Sequence, residues 1–245
     1  MASANEAGIP FLTTEQMREV DRAMIDDYGI LLIQMMENAG RNLAHLARRR
    51  FLEGDPNGRR VLVLAGTGGN GGGGLVCARH LHNWGALVSV WTTAPANRIA
   101  EIPRHQHSIL QHMNVELAVA DENTHLPDAD LIIDAIIGYS LSGDPRGPAA
   151  SLIRAANGHG APLLALDAPS GIDTANGTVH APSISATATM TLALPKEGLR
   201  SGSAKEHVGE LYLADISVPP KLYRNPALDI AVGAIFAQDE VLRIW

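Results

Sequence analysis

Four short polar side chains stand where apolar runs end. Asn70 lies inside "GTGGNGGGG" (66–74), Asp134 inside "DLIIDAIIG" (130–138), and Asp167 and Ser170 inside "LDAPSG" (166–171). An amide oxygen, carboxylates and a hydroxyl make a hard-oxygen donor set, which suits an alkali or alkaline-earth ion and not zinc. Buried carboxylates at neighbouring strand ends repel unless a cation or a ligand proton lies between them. Any one of these residues reads as readily as a cap or a satisfied turn side chain; the four together favour a site.

The glycine stretch bears on what such a site would hold. Gly66, Gly68 and Gly71 satisfy G-x-G-x-x-G after an apolar run, the setting in which a pyrophosphate meets backbone N–H groups at a helix N-terminus. A dinucleotide fold of the usual kind needs an acid at the end of its second strand, and "VWTTAPAN" (90–97) has none. A Walker A loop needs Gly-Lys-Ser/Thr, whereas this loop ends Gly73-Gly74-Leu75. "GYSLSGD" (138–144) is a second small-residue loop able to approach a phosphate by its backbone. Ser170 lacks the G-x-S-x-G elbow of a nucleophile, and Cys77 reads as a small buried helix residue.

These residues need a scaffold, and the apolar periodicity supplies one. "LTTEQMREVDRAMIDDYG" opens with Thr13 three residues before Gln16, a capping box, and places Met17, Val20 and Met24 on one helical face. Leu32, Met36, Ala39, Leu43 and Leu46 form the stripe of a second helix. Continuous apolar runs predict buried parallel strands at 61–66, 86–93, 115–120, 130–138, 161–171 and 187–195, with a further strand nearer the sheet edge at 209–219. Helices are expected at 74–85 and 99–113. Strands alternating with helices make a doubly wound α/β sheet behind two leading helices. Residues 1–11 are expected as a flexible tail and 12–245 as one domain.

Composition narrows the function classes. The 245 residues carry a formal net charge of −7, which argues against non-specific nucleic-acid binding. No apolar run is long enough to span a bilayer. The N-terminus lacks a basic region followed by an apolar core, and the single cysteine suits a reducing cytoplasm.

Together these stretches resemble the NAD(P)H-hydrate epimerase family, whose fold is also called YjeF N-terminal. "MENAG" (36–40), Gly68–Gly74, "DAIIG" (134–138), "DAPSGID" (167–173) and "LPKEGL" (194–199) stand in the family's order. The resemblance implies a Rossmann-like three-layer sandwich with a mainly parallel sheet, usually a homodimer, that interconverts the R and S hydrates of NADH and NADPH. It implies one potassium ion per subunit on Asn70, Asp134 and Ser170. Substrate contacts would fall on Gly69, Asn70, Gly71, Gly72 and Gly73, on Gly138, Tyr139, Ser140, Leu141, Ser142, Gly143 and Asp144, and on Asp167. Asp167 is also the candidate for proton transfer, because epimerisation at a hydroxylated carbon needs a donor and an acceptor but no redox change. A separate dehydratase would act on the product. At two positions of this loop the chain departs from the family: Gly73 stands where a carboxylate is usual, and Gly69 where Asn is usual. The alternative is a non-catalytic nucleotide-binding or scaffold module on the same fold, or an enzyme acting on another nucleotide. Retention of Asn70, Asp134, Asp167 and Ser170 favours the enzyme, and Gly73 favours the module.

Overall fold

A computed structural model describes residues 8–245. Eight strands form one sheet: β1 (Arg60–Ala65), β2 (Leu87–Thr92), β3 (Glu116–Val119), β4 (Leu131–Ala135), β5 (Leu163–Leu166), β6 (Ala188–Leu192), β7 (Glu210–Ala214) and β8 (Val241–Arg243). Their order is β3-β2-β1-β4-β5-β6-β7-β8. All neighbours are parallel except β7 and β8. Within β1, Val61, Val63 and Ala65 join the core on one face, and Leu62 and Leu64 join the core on the other. That is why the run is apolar throughout: both faces are covered by helices.

The chain builds β1, β2 and β3 outward, then returns to place β4 on the far side of β1. The first turns after β1 and β4 therefore diverge at a topological switch point, where open α/β sheets hold ligands. The two strand ends are tied together, with Gly66 N–H donating to Ala135 O at 3.0 Å.

Among the described residues, six α-helices pack around the sheet: α1 (Thr14–Asp26), α2 (Leu32–Arg50), α3 (Gly69–Asn83), α4 (Glu101–His112), α5 (Gly147–Asn157) and α6 (Gly202–Val208). α1 opens with the capping box expected from Thr13 and Gln16, each side chain bonded to the other's backbone N–H. The expected α2 stripe is buried at Met36, Ala39, Leu43 and Leu46.

Several elements differ from the sequence expectation. α3 starts at Gly69, inside the glycine cluster, and not at residue 74. Glycine in a helix costs about 0.5–1 kcal/mol relative to alanine, so local propensity alone would not begin the helix there. Tertiary packing overrides it. A Cβ on Gly71 would lie 2.0 Å from Gly66 O, and one on Gly40 of α2 would lie 2.4 Å from Gly73 O. α5, α6 and β8 were not expected from the pattern; each is short, and β8 has only three residues. The expected tail 1–11 lies mostly outside the described residues. Within them, Ile9 is buried, and Leu12 N–H donates to Pro195 O while Leu12 O accepts from Glu197 N–H.

The glycine packing makes a prediction of opposite signs. Gly71→Ala drives backbone into backbone and should destabilise the fold by about 2 kcal/mol or more. Gly69→Ala, whose Cβ meets only Met36 Cε at 3.8 Å, should be neutral or stabilising by up to about 1 kcal/mol. Urea unfolding midpoints of the two variants decide it.

Candidate active site

At the C-terminal ends of β1, β4 and β5 the structure encloses a cavity of about 230 Å³. Its roof comes from the two leading helices, with Met17 and Asp21 of α1 and Met35, Met36 and Ala39 of α2. Its floor comes from Gly69, Asn70 and Gly73 of α3, from Gly138 to Ser140, and from Leu166 and Asp167. The wall is thus mostly apolar, with a few polar groups aimed inward, as ligand pockets generally are.

Asp167 follows β5 directly and has φ 67°. A non-glycine residue in that region costs about 1–3 kcal/mol and persists only where its surroundings enforce it. Here they do. Asp167 Oδ1 accepts from Lys196 Nζ at 2.5 Å, and Oδ2 accepts from Tyr139 N–H at 3.0 Å. Lys196 is fully buried, and its ammonium has two further acceptors, Leu192 O at 3.0 Å and Thr191 Oγ1 at 3.3 Å. Three donors therefore meet three acceptors.

Asp134 and Ser170 lie beneath this surface, both fully buried. The Ser170 hydroxyl donates to Asp134 Oδ1 at 2.6 Å, Ser170 N–H donates to Asp134 Oδ2 at 2.8 Å, and Ile136 N–H donates to Oδ1 at 3.2 Å. Ser170 Oγ in turn accepts from Ile137 N–H at 2.8 Å. Burial pushes the Asp134 carboxyl up to about 6 despite these bonds. No lysine or arginine among the described residues offsets its charge.

Asn70 sits in the first turn of α3 and faces the same turn from the other side. A Cβ on Gly138 would lie 3.0 Å from Asp167 Oδ2 and 3.3 Å from Asn70 Oδ1, so a side chain at 138 would obstruct both. Asn70 Nδ2 is buried and finds no partner among the described residues.

Opposite these groups in sequence, Tyr139 links the cavity to α1. Its hydroxyl donates to Asp21 Oδ2 at 2.5 Å. Burial, first of all, raises the Asp21 carboxyl above its usual range, while the bond from Tyr139 and the charge of Lys196 act the other way.

Residues 32–198 match the family described as YjeF-related protein N-terminus. The chain belongs to this family. It is 42% identical over 230 residues to the NAD(P)H-hydrate epimerase of Dehalogenimonas lykanthroporepellens, covering 92% of this chain and 89% of that one. It is 36% identical to the bifunctional NAD(P)H-hydrate repair enzyme Nnr of Salinibacter ruber, covering 90% of this chain but 43% of that longer one. Among solved structures, yeast ynu0 superposes with a TM-score of 0.80 at 25% identity, over 96% of this chain and all of that one.

Within this YjeF-related fold, the residues singled out from sequence fall into three groups. Gly69, Asn70, Gly73, Gly138, Tyr139, Ser140 and Asp167 line the cavity. Gly71 and Gly72 are buried against Gly66 and Met36 instead, and Asp134 and Ser170 lie below the cavity floor. Leu141, Ser142, Gly143 and Asp144 are outside it; Asp144 bonds His180 Nδ1 at 2.9 Å near the surface. Sequence reasoning did not single out Lys196 or Asp21. Lys196 stood in the quoted "LPKEGL" turn, but nothing local marks it as buried. Asp21 occupies an i+4 position from Met17 on the apolar face of α1, and a carboxylate on such a stripe is the signal that identifies it.

The space at Gly73 is taken by Leu166: a Cβ there would lie 2.7 Å from Leu166 Cδ2. Gly73→Asp should therefore cost less than about 1 kcal/mol, because the displaced methyl is the tip of a side chain bordering the cavity, and the costs of Gly73→Asp and Leu166→Ala together should be smaller than their sum. Thermal unfolding of the single and double variants checks the pairing.

Lys196→Met leaves Asp167 buried without its cation and should destabilise by about 3–5 kcal/mol. Adding Asp167→Asn should return much of this, which a double-mutant cycle from urea unfolding measures.

Proposed function

We propose that this YjeF-related protein is an NAD(P)H-hydrate epimerase, interconverting the R and S forms of hydrated NADH and NADPH. Two of the relatives described above carry names for epimerase or hydrate-repair activity. The observation that carries the reading here is the Asp167–Lys196 pair opening on a ring-sized, largely apolar cavity at the sheet's switch point. At about 230 Å³, the cavity is smaller than pockets that enclose a whole drug-sized ligand. It suits a hydrated nicotinamide ring with the rest of the dinucleotide lying outside. The N-terminus of α3, where backbone N–H groups lack helical partners, faces the region where phosphates of the ADP half would lie.

The reaction asks for little covalent machinery. The substrate carbon C6 carries a hydroxyl beside the ring nitrogen N1. When a proton reaches that hydroxyl, the C6–O bond breaks, water leaves with the bonding pair, and the N1 lone pair forms an N1=C6 iminium. Water then adds to the other face of C6 and gives up a proton. We assign the taking and returning of that proton to Asp167, a reading supported by its position on the cavity lining and its bond to Lys196. No electron transfer and no covalent enzyme intermediate are needed.

Potassium belongs to the same proposal. The donor set is oxygen-rich, Asp134 is a buried carboxylate that no lysine or arginine among the described residues offsets, and the buried amide nitrogen of Asn70 has no partner among them. The residues fit a monovalent cation held by Asn70, Asp134 and Ser170. Such an ion would supply positive charge beneath the substrate site. A homodimer and a separate dehydratase acting on the S product complete the proposal. No helix among the described residues is long and apolar enough to cross a membrane.

The test supplies the mixed hydrates with an S-specific dehydratase and ATP or ADP, and follows the R form. Added protein should speed consumption of the R form by at least tenfold in potassium chloride, and less when choline chloride replaces it. An unchanged rate in potassium sinks the epimerase reading; equal rates in the two salts sink the role of potassium alone.

A further inference from the structure

Inverting a carbon by losing water from one face and regaining it on the other sets a requirement on the site. By microscopic reversibility, the group that protonates the departing hydroxyl in one direction deprotonates the entering water in the other. Two faces therefore call for two proton-carrying groups, and Asp167 supplies one.

We propose that Asp21, coupled to the Tyr139 hydroxyl, is the second proton-carrying group of this site; the inference rests on the epimerase reading. Asp21 and Asp167 line the same cavity from different layers of the fold, one on α1 and one after β5. Tyr139 spans them, with its hydroxyl on Asp21 Oδ2 at 2.5 Å and its N–H on Asp167 Oδ2 at 3.0 Å. The two carboxyls differ in what neutralises them. Asp167 has a buried ammonium at 2.5 Å, whereas among the described residues Asp21 has only a phenol. Arg22, next to Asp21 in sequence, is held at the surface by Glu19 and Asp27 at 2.8 and 2.9 Å.

Such an arrangement divides the labour. Asp167, held by Lys196, is the group that accepts a proton. Asp21, whose carboxyl burial raises above its usual range, is the group that gives one. The Tyr139 phenol is itself raised by burial and by the charge of Asp21, so it stays protonated as a donor. In one direction Asp21 gives its proton to the C6 hydroxyl, water leaves, and the incoming water passes a proton to Asp167. The reverse direction returns both protons along the same path. One proton is given and one is taken per inversion, with no net change in the substrate's composition.

The groups whose charge acts on this dyad are Tyr139, Lys196 and Asp167, with Arg18 acting on the phenol and Tyr223 coupled to Asp21. The bond from the Tyr139 hydroxyl favours ionised Asp21. Removing it must therefore raise the Asp21 pKa, and the alkaline limb of activity, which needs Asp21 protonated, must move to higher pH.

The experiment compares wild type, Asp21→Asn and Tyr139→Phe in the coupled R-form assay across pH 5 to 9. Asp21→Asn should lose about a hundredfold in kcat, in line with loss of one general acid–base group, with KM changed less than about threefold. Tyr139→Phe should keep measurable activity with its alkaline limb shifted upward. A thermal melt of each variant separates misfolding from lost chemistry, and if Asp21→Asn does not fold, the Tyr139→Phe profile decides. Active wild type with Asp21→Asn within threefold of it in kcat, or with an unshifted Tyr139→Phe profile, overturns this inference alone. Inactive wild type overturns the epimerase reading and this inference with it.

Discussion

A buried ammonium must give its protons to acceptors or cost the fold several kcal/mol, and much of the site follows from how Lys196 meets that demand. Two of its acceptors, Thr191 and the Leu192 carbonyl, come from the end of β6; the third is Asp167, just past β5. The pair thus ties adjacent strand ends and holds Asp167 in a left-handed conformation that an aspartate would otherwise seldom keep. The segment before α1 closes the same turn from outside, because Leu12 pairs with the backbone on both sides of Lys196. α1 is thereby anchored beside the carboxylate, and that anchoring brings Asp21 to the cavity roof.

Some of this geometry was legible in the sequence. In a parallel sheet buried on both faces, a polar residue near the end of an apolar run is a residue near the ligand-binding edge. Asn70, Asp134, Asp167 and Ser170 could be placed there because strand direction alone fixes which end they occupy. Lys196 could not. Its burial depends on a partner 29 positions away, and a lysine in a Pro- and Gly-flanked turn is ordinarily solvated. The start of α3 was misplaced for a related reason. Glycines argue against a helix locally, but Gly71 packs onto Gly66 within the turn from β1, and Gly73 meets Gly40 of α2 across the fold. α5 escaped notice because "GPAASLIRAAN" is short, and its only clear start signal is Pro148 near the helix N-terminus.

The glycines carry a meaning different from the phosphate-loop template they match. Four of them, Gly71 to Gly74, are inside α3 and buried. Their bareness lets the helix lie on the β1 and β4 turns and beneath α2, and this close seating sets the depth of the cavity. Gly138 works in the same way on the opposite rim, since any side chain there would stand between Asn70 and Asp167.

Charge balance joins these features to the chemistry. Asp21, Asp134 and Asp167 are gathered within one small region whose buried cation is Lys196. Three ionised carboxylates around one ammonium would be strongly unfavourable in a poorly solvated setting. The excess can be relieved by a proton on one carboxyl and a bound cation beside another. Asp134, fully buried and not offset by a lysine or arginine among the described residues, would suit a fixed cation. Asp21, at the cavity surface with only a phenol beside it, is suited to a proton that can leave. With a cation beside Asp134, the same electrostatic excess would leave one proton in the cavity, and one mobile proton is what an inversion at a hydroxylated carbon requires.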